Sequence, residues 1–340
     1  MSYTILSFCG GGMRGLFSVT LLERLFRGQT VSADLWAGCS TGSTIISWLL
    51  NGETPEAISQ KYRERERDFY SRQATDPQAP AYDIGLGLLG QTVMHRETKV
   101  NDVDQKILLA SFNIGSQLTK QWGGSIFTNL YPEGTPVQLP QGSTTTVSGN
   151  ITIADAVMAS GAMPGMFGSI NVKVQDPVTG EDQTYTQIDG AFLNHDPTLA
   201  AVAAVVDSGA AAFDDINVIC FGTGLIPAWI ASDTSKWGAY QWFNGDGNPN
   251  SQTQVTLING TVCPMANLCF TGVNTTQWQD LTAMMMPGRF VYLNAAFDRI
   301  IDENDVNPAD LDYMVERALE VDISAAEQLL QNVWTTGPPS

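Results

Sequence analysis

Histidine is scarce in this chain. Its 340 residues include two, His95 and His195, so chemistry that needs several imidazoles, a multi-histidine metal centre above all, has little to draw on. Cationic side chains are also few. The 17 Lys and Arg face 35 Asp and Glu, a formal net charge of −18. That balance disfavours nucleic acid as a partner and gives no general attraction to an anionic membrane. The five cysteines, Cys9, Cys39, Cys220, Cys263 and Cys269, form no CxxC pair and are odd in number. They fit a reduced, cytoplasmic chain better than a disulfide framework and offer no closely spaced zinc site. No apolar run approaches the about 18 residues of a membrane-spanning helix. The first residues pass into Tyr3-Thr4-Ile5-Leu6 without a basic leader, so a secretory signal is not expected. Asp246-Gly247-Asn248-Pro249-Asn250 opens like a calcium loop. Ser251 and Leu257 then stand where glycine and glutamate are needed, so no metal is expected.

What is present is an ordinary apolar content of 43%, enough for a sizeable core, and a length that suits one elaborated domain over residues 1–340. Residues 3–9 are rich in β-formers and read as a first strand, and Leu16–Phe26 carries apolar residues at helical spacing. Leu35–Ala37 reads as a second strand and Thr41–Leu50 as an apolar helix behind it. Thr54-Pro55 caps a helix expected to run to about Arg72, and the Pro- and Gly-rich stretch Asp76–Gly90 reads as a surface loop. Thr152-Ile153-Ala154-Asp155 looks like a capped helix start. Val172–Gln175 and Thr184–Ile188 read as paired strands joined through residues 177–180, and Ile216–Phe221 as a buried parallel strand. Residues 225–287 are irregular and rich in Trp and Met, and a last amphipathic helix is expected over about 308–333. Strand-loop-helix order predicts an α/β fold with a mostly parallel central sheet sandwiched by helices. Each functional loop would then lie beyond the C-terminal end of a strand.

The chemistry concentrates in three places. Ser40 lies in Gly38-Cys39-Ser40-Thr41-Gly42, the spacing of a strand-to-helix elbow that lifts a serine hydroxyl clear of the backbone. Gly10-Gly11-Gly12 at the end of the first strand offers backbone N–H groups that could hold an oxyanion. Asp189-Gly190 ends an alternating apolar stretch, so Asp189 could act on Ser40 directly. His195, six residues on, leaves a Ser-Asp-His triad open, whereas His95 sits in a polar surface stretch.

These motifs resemble those of the patatin-like phospholipase family. Gly10-Gly11-Gly12-Met13-Arg14-Gly15 matches its oxyanion motif, Gly38 to Gly42 its nucleophile motif, and Asp189-Gly190-Ala191 its D-G-[GA] motif. Ala159-Ser160-Gly161-Ala162-Met163-Pro164-Gly165-Met166-Phe167 and Phe221-Gly222-Thr223-Gly224 echo two further segments, so the match spans about residues 3–225. The resemblance implies a three-layer α/β fold and a lipid acyl hydrolase. It makes Ser40 the nucleophile and Asp189 the proton acceptor of a dyad, with the Gly10 to Gly15 loop as oxyanion hole. It also implies a phospholipid or other acyl-lipid substrate met at a transient membrane surface, with no cofactor. Cys9, where many members carry an acid, and Asn194-His195-Asp196-Pro197, in place of Asn-Asn-Pro, depart from the family pattern.

Some readings stay open. Gly10-x-Gly12-x-x-Gly15 with Asp34 downstream also fits a dinucleotide-binding fingerprint, though that leaves Ser40 and Asp189 unexplained. A catalytically silent lipid-binding module is a second alternative. Arg14 either fixes its loop or meets a substrate phosphate. Lys61–Asp68 is either a solvated helix face with internal pairs or a patch for lipid head groups or a regulator. The Trp- and Met-rich span 225–287 either gates an apolar pocket or is core under a long insertion.

Overall fold

The computed structural model describes residues 2–340 except 65, 71–78, 81, 83–84, 93–96, 116–120, 133–142, 144, 176–181, 249, 252–263, 266–267, 269–275 and 335–340. His95, Cys263, Cys269, Arg65 and the turn over 177–180 therefore lie outside the described residues.

The first strand, β1 (Tyr3–Phe8), leads through the glycine loop into α1 (Gly15–Phe26). The second, β2 (Leu35–Cys39), leads through Ser40 into α2 (Thr41–Leu50), and α3 (Pro55–Glu64) follows. The remaining strands are β3 (Lys106–Asn113), β4 (Gly123–Thr128), β5 (Thr146–Ser148), β6 (Ile170–Gln175), β7 (Asp182–Asp189), β8 (Ile216–Phe221) and β9 (Phe290–Leu293). They form one sheet in the order β5-β4-β3-β2-β1-β8-β9, with β7 also pairing β3 and β6. Strands β3, β2, β1, β8 and β9 are mutually parallel, as expected, whereas β4 and β7 run antiparallel to β3.

Both faces of the parallel part are buried, and the sequence alternates accordingly. Leu6, Phe8, Trp36, Ile107, Leu109, Ile219 and Phe221 face a core completed by α1, α2 and the helix Pro308–Glu320. Ile5, Leu35, Ala37, Leu108, Ala110, Ile216 and Val218 face a second core closed by Ala201, Val202 and Val205 of the helix Thr198–Asp207. This is the expected three-layer arrangement.

Two expectations change. Part of the stretch expected to loop, Gly85–Thr92, is helical. There the glycines serve contact: a Cβ on Gly90 would lie 2.6 Å from the Met158 sulfur, and one on Gly85 2.3 Å from the Phe167 ring. The expected helix over 308–333 is two, Pro308–Glu320 and Ser324–Trp334. Asp322 accepts the Ser324 N–H at 2.9 Å and starts the second, while Arg24 of α1 donates to the Ala318 and Val321 carbonyls that end the first. The helix expected to run to about Arg72 is described as Pro55–Glu64 and Glu66–Phe69, on either side of residue 65. On it Lys61 pairs with Glu53 and Arg63 with Asp312, so these two cations of the basic stretch are spent within the fold.

Candidate active site

Strand β3 brings the two expected catalytic side chains together. One of its edges is taken by β4 from Leu108 to Asn113. On the other, β2 runs parallel up to Cys39, opposite Ala110, and β7 comes the opposite way to end with Asp189 opposite Ser111. Two strands thus meet head to head along one edge, and the residues at their tips are Ser40 and Asp189. The Ser40 hydroxyl donates to Asp189 Oδ2 at 2.7 Å.

The elbow carries the strain its motif implies. Ser40 has φ 52° and ψ −120°, a conformation that side-chain-bearing residues adopt only when the surroundings impose it. The surroundings are identifiable. Ser160 Oγ accepts the Ser40 N–H at 2.9 Å, contacts Ser43 Oγ at 2.8 Å and donates to the Ala110 carbonyl at 2.6 Å. The same segment holds Asp189: its N–H donates to the Ala162 carbonyl and the Gly190 N–H to that of Ser160. The Ala/Pro-rich echo in the sequence therefore marks a bracket gripping both halves of the site. Ser160 is a supporting residue that motif reading passed over. The flanking glycines answer to packing. A Cβ on Gly42 would sit 2.2 Å from the Phe8 carbonyl oxygen, one on Gly38 2.7 Å from Gly42, and one on Gly190 2.2 Å from the Ala110 oxygen.

Asp189 is fully buried. Burial pushes its carboxyl up to about 7, against the lowering effect of the Ala191 N–H and Ser40 hydroxyl bonds, with nearby Glu303 adding to the rise. A carboxylate that would be a feeble base near its ordinary value is thereby poised near neutrality.

In the glycine loop, Gly11 and Gly12 have φ of 145° and 57°, which glycine alone tolerates readily. Gly10 donates its N–H to the His195 carbonyl at 2.9 Å, Met13 to the Glu303 carbonyl at 2.7 Å, and Arg14 to Gly11 at 3.1 Å. The Gly15 N–H turns back to Gly12 and Met13. Of the six loop residues, Gly11 and Gly12 keep N–H groups without a partner among the described residues. The expected donor set thus narrows to two. Thr223 of the Gly-Thr-Gly segment holds the loop from behind, donating to the Gly10 carbonyl at 2.6 Å.

Arg14 is buried and donates to the Ile301 carbonyl and to Glu303, each at 3.2 Å. These bonds tie the loop to residues 301–303, as the loop-fixing alternative requires. His195 lies against Gly10, its Cδ2 3.1 Å from where a Cβ there would be. Burial, and then the Arg14 charge, pushes its imidazole down to about 4, so it is neutral at physiological pH. The direct Ser40–Asp189 bond leaves no imidazole between them. His195→Ala is expected to keep activity within roughly tenfold, against the about 10²–10⁴-fold that a general base supplies. Ester hydrolysis by the folded variant, checked by circular dichroism, measures this. A loss as deep as that of Ser40→Ala would restore the triad.

Asp34, the acid of the dinucleotide reading, accepts from the Thr4 N–H and hydroxyl at 2.7 and 2.8 Å, at the start of β1 and away from the loop. The fold also gathers side chains that are far apart in the sequence. Cys9, Asp196 and Cys220, remote in sequence, gather within 4.8 Å beneath the glycine loop, all buried. The Cys9 and Cys220 sulfurs are 3.6 Å apart, and Cys220 contacts Asp196 at 3.5 Å. The hydrogen bond to Cys220 and then burial hold the Cys9 thiol well above its ordinary value.

A narrow cleft opens over Ser40. Its apolar wall includes Phe69, Tyr70, Leu89, Met163, Met166 and Phe167, and Gly12 and Glu303 border it by the glycine loop. Among the described residues no helix is long and apolar enough to cross a membrane. With this geometry in place, the family model described as patatin-like phospholipase matches residues 6–202. The chain belongs to the patatin-like phospholipase family. Among curated relatives it is 23% identical to CotR of Bacillus subtilis (strain 168), over 98% of both chains. It is 24% identical to patatin-like protein 2 of Arabidopsis thaliana, over 72% of this chain and 66% of that one. Among solved structures it is similar to VipD from Legionella pneumophila, with TM-score 0.40 and 12% identity over 98% of this chain and 67% of that one. Human GIVD cytosolic phospholipase A2 gives TM-score 0.42 and 10% identity over 98% and 63%. The oxyanion, nucleophile and D-G-[GA] motifs read from the sequence fall within the matched span, whereas the Phe221–Gly224 echo lies beyond it. Membership in this family makes the protein a lipid hydrolase.

Proposed function

We propose that the protein hydrolyses carboxylic esters of acyl lipids, phospholipids among them, through a Ser40–Asp189 dyad and an acyl-enzyme. The observation that carries this is the direct bond from the Ser40 hydroxyl to a buried carboxylate. In the reaction, Ser40 Oγ attacks the ester carbonyl as its proton passes to Asp189. The tetrahedral oxyanion is held by the N–H groups of Gly11 and Gly12, backed by the positive end of α1. Collapse returns the proton from Asp189 to the departing alcohol and leaves the acyl group on Ser40. Asp189 then takes a proton from water as the water attacks the acyl carbon, and passes it to Ser40 Oγ as the bond between Ser40 and the acyl group breaks and the fatty acid leaves. The apolar wall from Phe69 to Phe167 receives the acyl chain, whose burial contributes on the order of 0.8 kcal/mol per methylene.

The protein would act in the cytoplasm and meet a membrane only transiently. Trp237 and Trp242 of the irregular span pack edge to face at 5.1 Å, while Trp229, Tyr240 and Phe243 are exposed nearby in sequence. Such side chains suit a lipid–water boundary.

An active-site-directed fluorophosphonate is expected to label the protein, with the adduct on the Ser40 peptide by mass spectrometry. Incubation with mixed phospholipid and galactolipid vesicles is expected to release fatty acid and a lysolipid identifiable by mass. Labelling that persists in Ser40→Ala sinks the nucleophile assignment, and vesicles left intact by the wild-type protein sink the lipid reading.

A further inference from the structure

The cleft over Ser40 has a pronounced charge asymmetry. Glu303 is the charged residue among those lining it, partly exposed at the edge of the glycine loop. The nearest cation of the loop, Arg14, is buried behind and already engaged by Ile301 and Glu303. Glu303 is also held firmly at this place. Its carbonyl oxygen accepts the Met13 N–H, and a Cβ on Gly12 would lie 2.2 Å from that oxygen. The neighbouring Asn304 donates to the Tyr82 hydroxyl at 2.6 Å, joining the segment to the aromatic group Tyr70, Tyr82 and Phe167. The carboxylate is therefore anchored beside the two N–H groups proposed to take the oxyanion, and its field extends to Asp189.

We propose that Glu303 is a specificity residue that selects the charge of the substrate's alcohol portion: esters whose alcohol is uncharged or cationic are accepted, and those with an anion next to the scissile bond are rejected. This rests on the ester hydrolysis proposed above and names its substrate class more closely. An anion entering beside Glu303 finds no cation among the described lining residues to offset the repulsion. A cation finds a carboxylate. Arg14, paired with Glu303 from behind, offsets part of this field; what is left at about 8 Å changes the rate about threefold for either sign of charge, so the ratio between a cationic and an anionic ester reaches about tenfold.

The test uses three butyrate esters of similar size, those of choline, of its uncharged isostere neohexyl alcohol, and of isethionate, with hydrolysis followed by acid release. The expected order of kcat/KM in the wild type is choline, neohexyl, isethionate, spanning about tenfold. In Glu303→Gln the choline-to-isethionate ratio is expected to shrink about tenfold, while the neohexyl ester corrects for any general loss of activity. Glu303→Asp, which keeps the charge, is expected to keep the ratio. Equal kcat/KM for all three esters in the wild type overturns the proposal without any variant, as does an unchanged ratio in folded Glu303→Gln. Failure of the wild type to hydrolyse any of the three overturns the ester-hydrolase reading instead.

Discussion

Asp189→Asn is expected to abolish hydrolysis while making the protein more stable at alkaline pH. An amide of nearly the same shape accepts no proton from Ser40, and the rate is expected to fall by at least about 10³-fold. In the wild type, kcat/KM is expected to rise with pH through about 7, as Asp189 gives up its proton and becomes able to serve as base. Stability follows the opposite sign. The folded state binds the Asp189 proton more tightly than the unfolded chain, whose carboxyl stays near 3.8. That preference stabilises the fold fully below the unfolded value and is lost as pH rises through about 7. Ionised and buried, Asp189 then costs as much as about 4 kcal/mol, less whatever local relaxation returns. Asn carries no charge, so its advantage over wild type should be present at pH 8.5 and vanish near pH 4. Denaturant melts at the two pH values measure it. A variant less stable than wild type at pH 8.5 would show that the buried charge is not the dominant cost.

Gly42→Ala is expected to cost both the fold and the site. The new methyl would lie 2.2 Å from the Phe8 carbonyl oxygen and within 2.9 Å of two more Phe8 atoms, so α2 must move off β1. Overpacking of this kind costs about 1–3 kcal/mol, more where backbone must yield. Because Ser40 is the residue at the N-terminus of α2, the shift also moves the nucleophile relative to Asp189. A displacement of about 1 Å at a reacting atom is enough for roughly 10²-fold in rate. A lower melting temperature and slower fluorophosphonate labelling are both expected. Gly87→Ala supplies the control, since a Cβ there meets nothing within 4 Å. That variant should be neutral, or stabilised by about 0.5–1 kcal/mol through the better helix former.

Much of the site was legible in the sequence because its parts lie at the ends of local elements. A glycine triplet after β1, a serine between glycines after β2 and an acid before glycine after β7 each carry their signature within a few residues. What was not legible lives in long-range pairing. Strand β3 aligns Ser40 with Asp189, yet nothing in Lys106–Asn113 announces which strands it will join. Ser160 acts through hydrogen bonds to residues 50 and 120 positions away. Glu303 reaches the cleft from well beyond the family-matched span. The buried trio Cys9, Asp196 and Cys220 likewise exists only once β1 and β8 are paired. The helix Gly85–Thr92 was masked by its glycines, which locally signal a loop and in the fold allow close approach to Met158 and Phe167.

The head-on meeting of β2 and β7 has a consequence for how the molecule comes into being. Ser40 and Asp189 are 149 residues apart, and the one pairing partner that β2 and β7 share is β3. A chain emerging from the ribosome completes β1, the elbow and α2 early, when Ser40 has no partner and no activating carboxylate. Reactivity then awaits the arrival of β7 and the closure of a very large loop, an entropically slow event. With the proposed dyad, catalytic competence becomes a readout of finished topology, and a nascent or partly unfolded chain is expected to be silent toward the lipids around it.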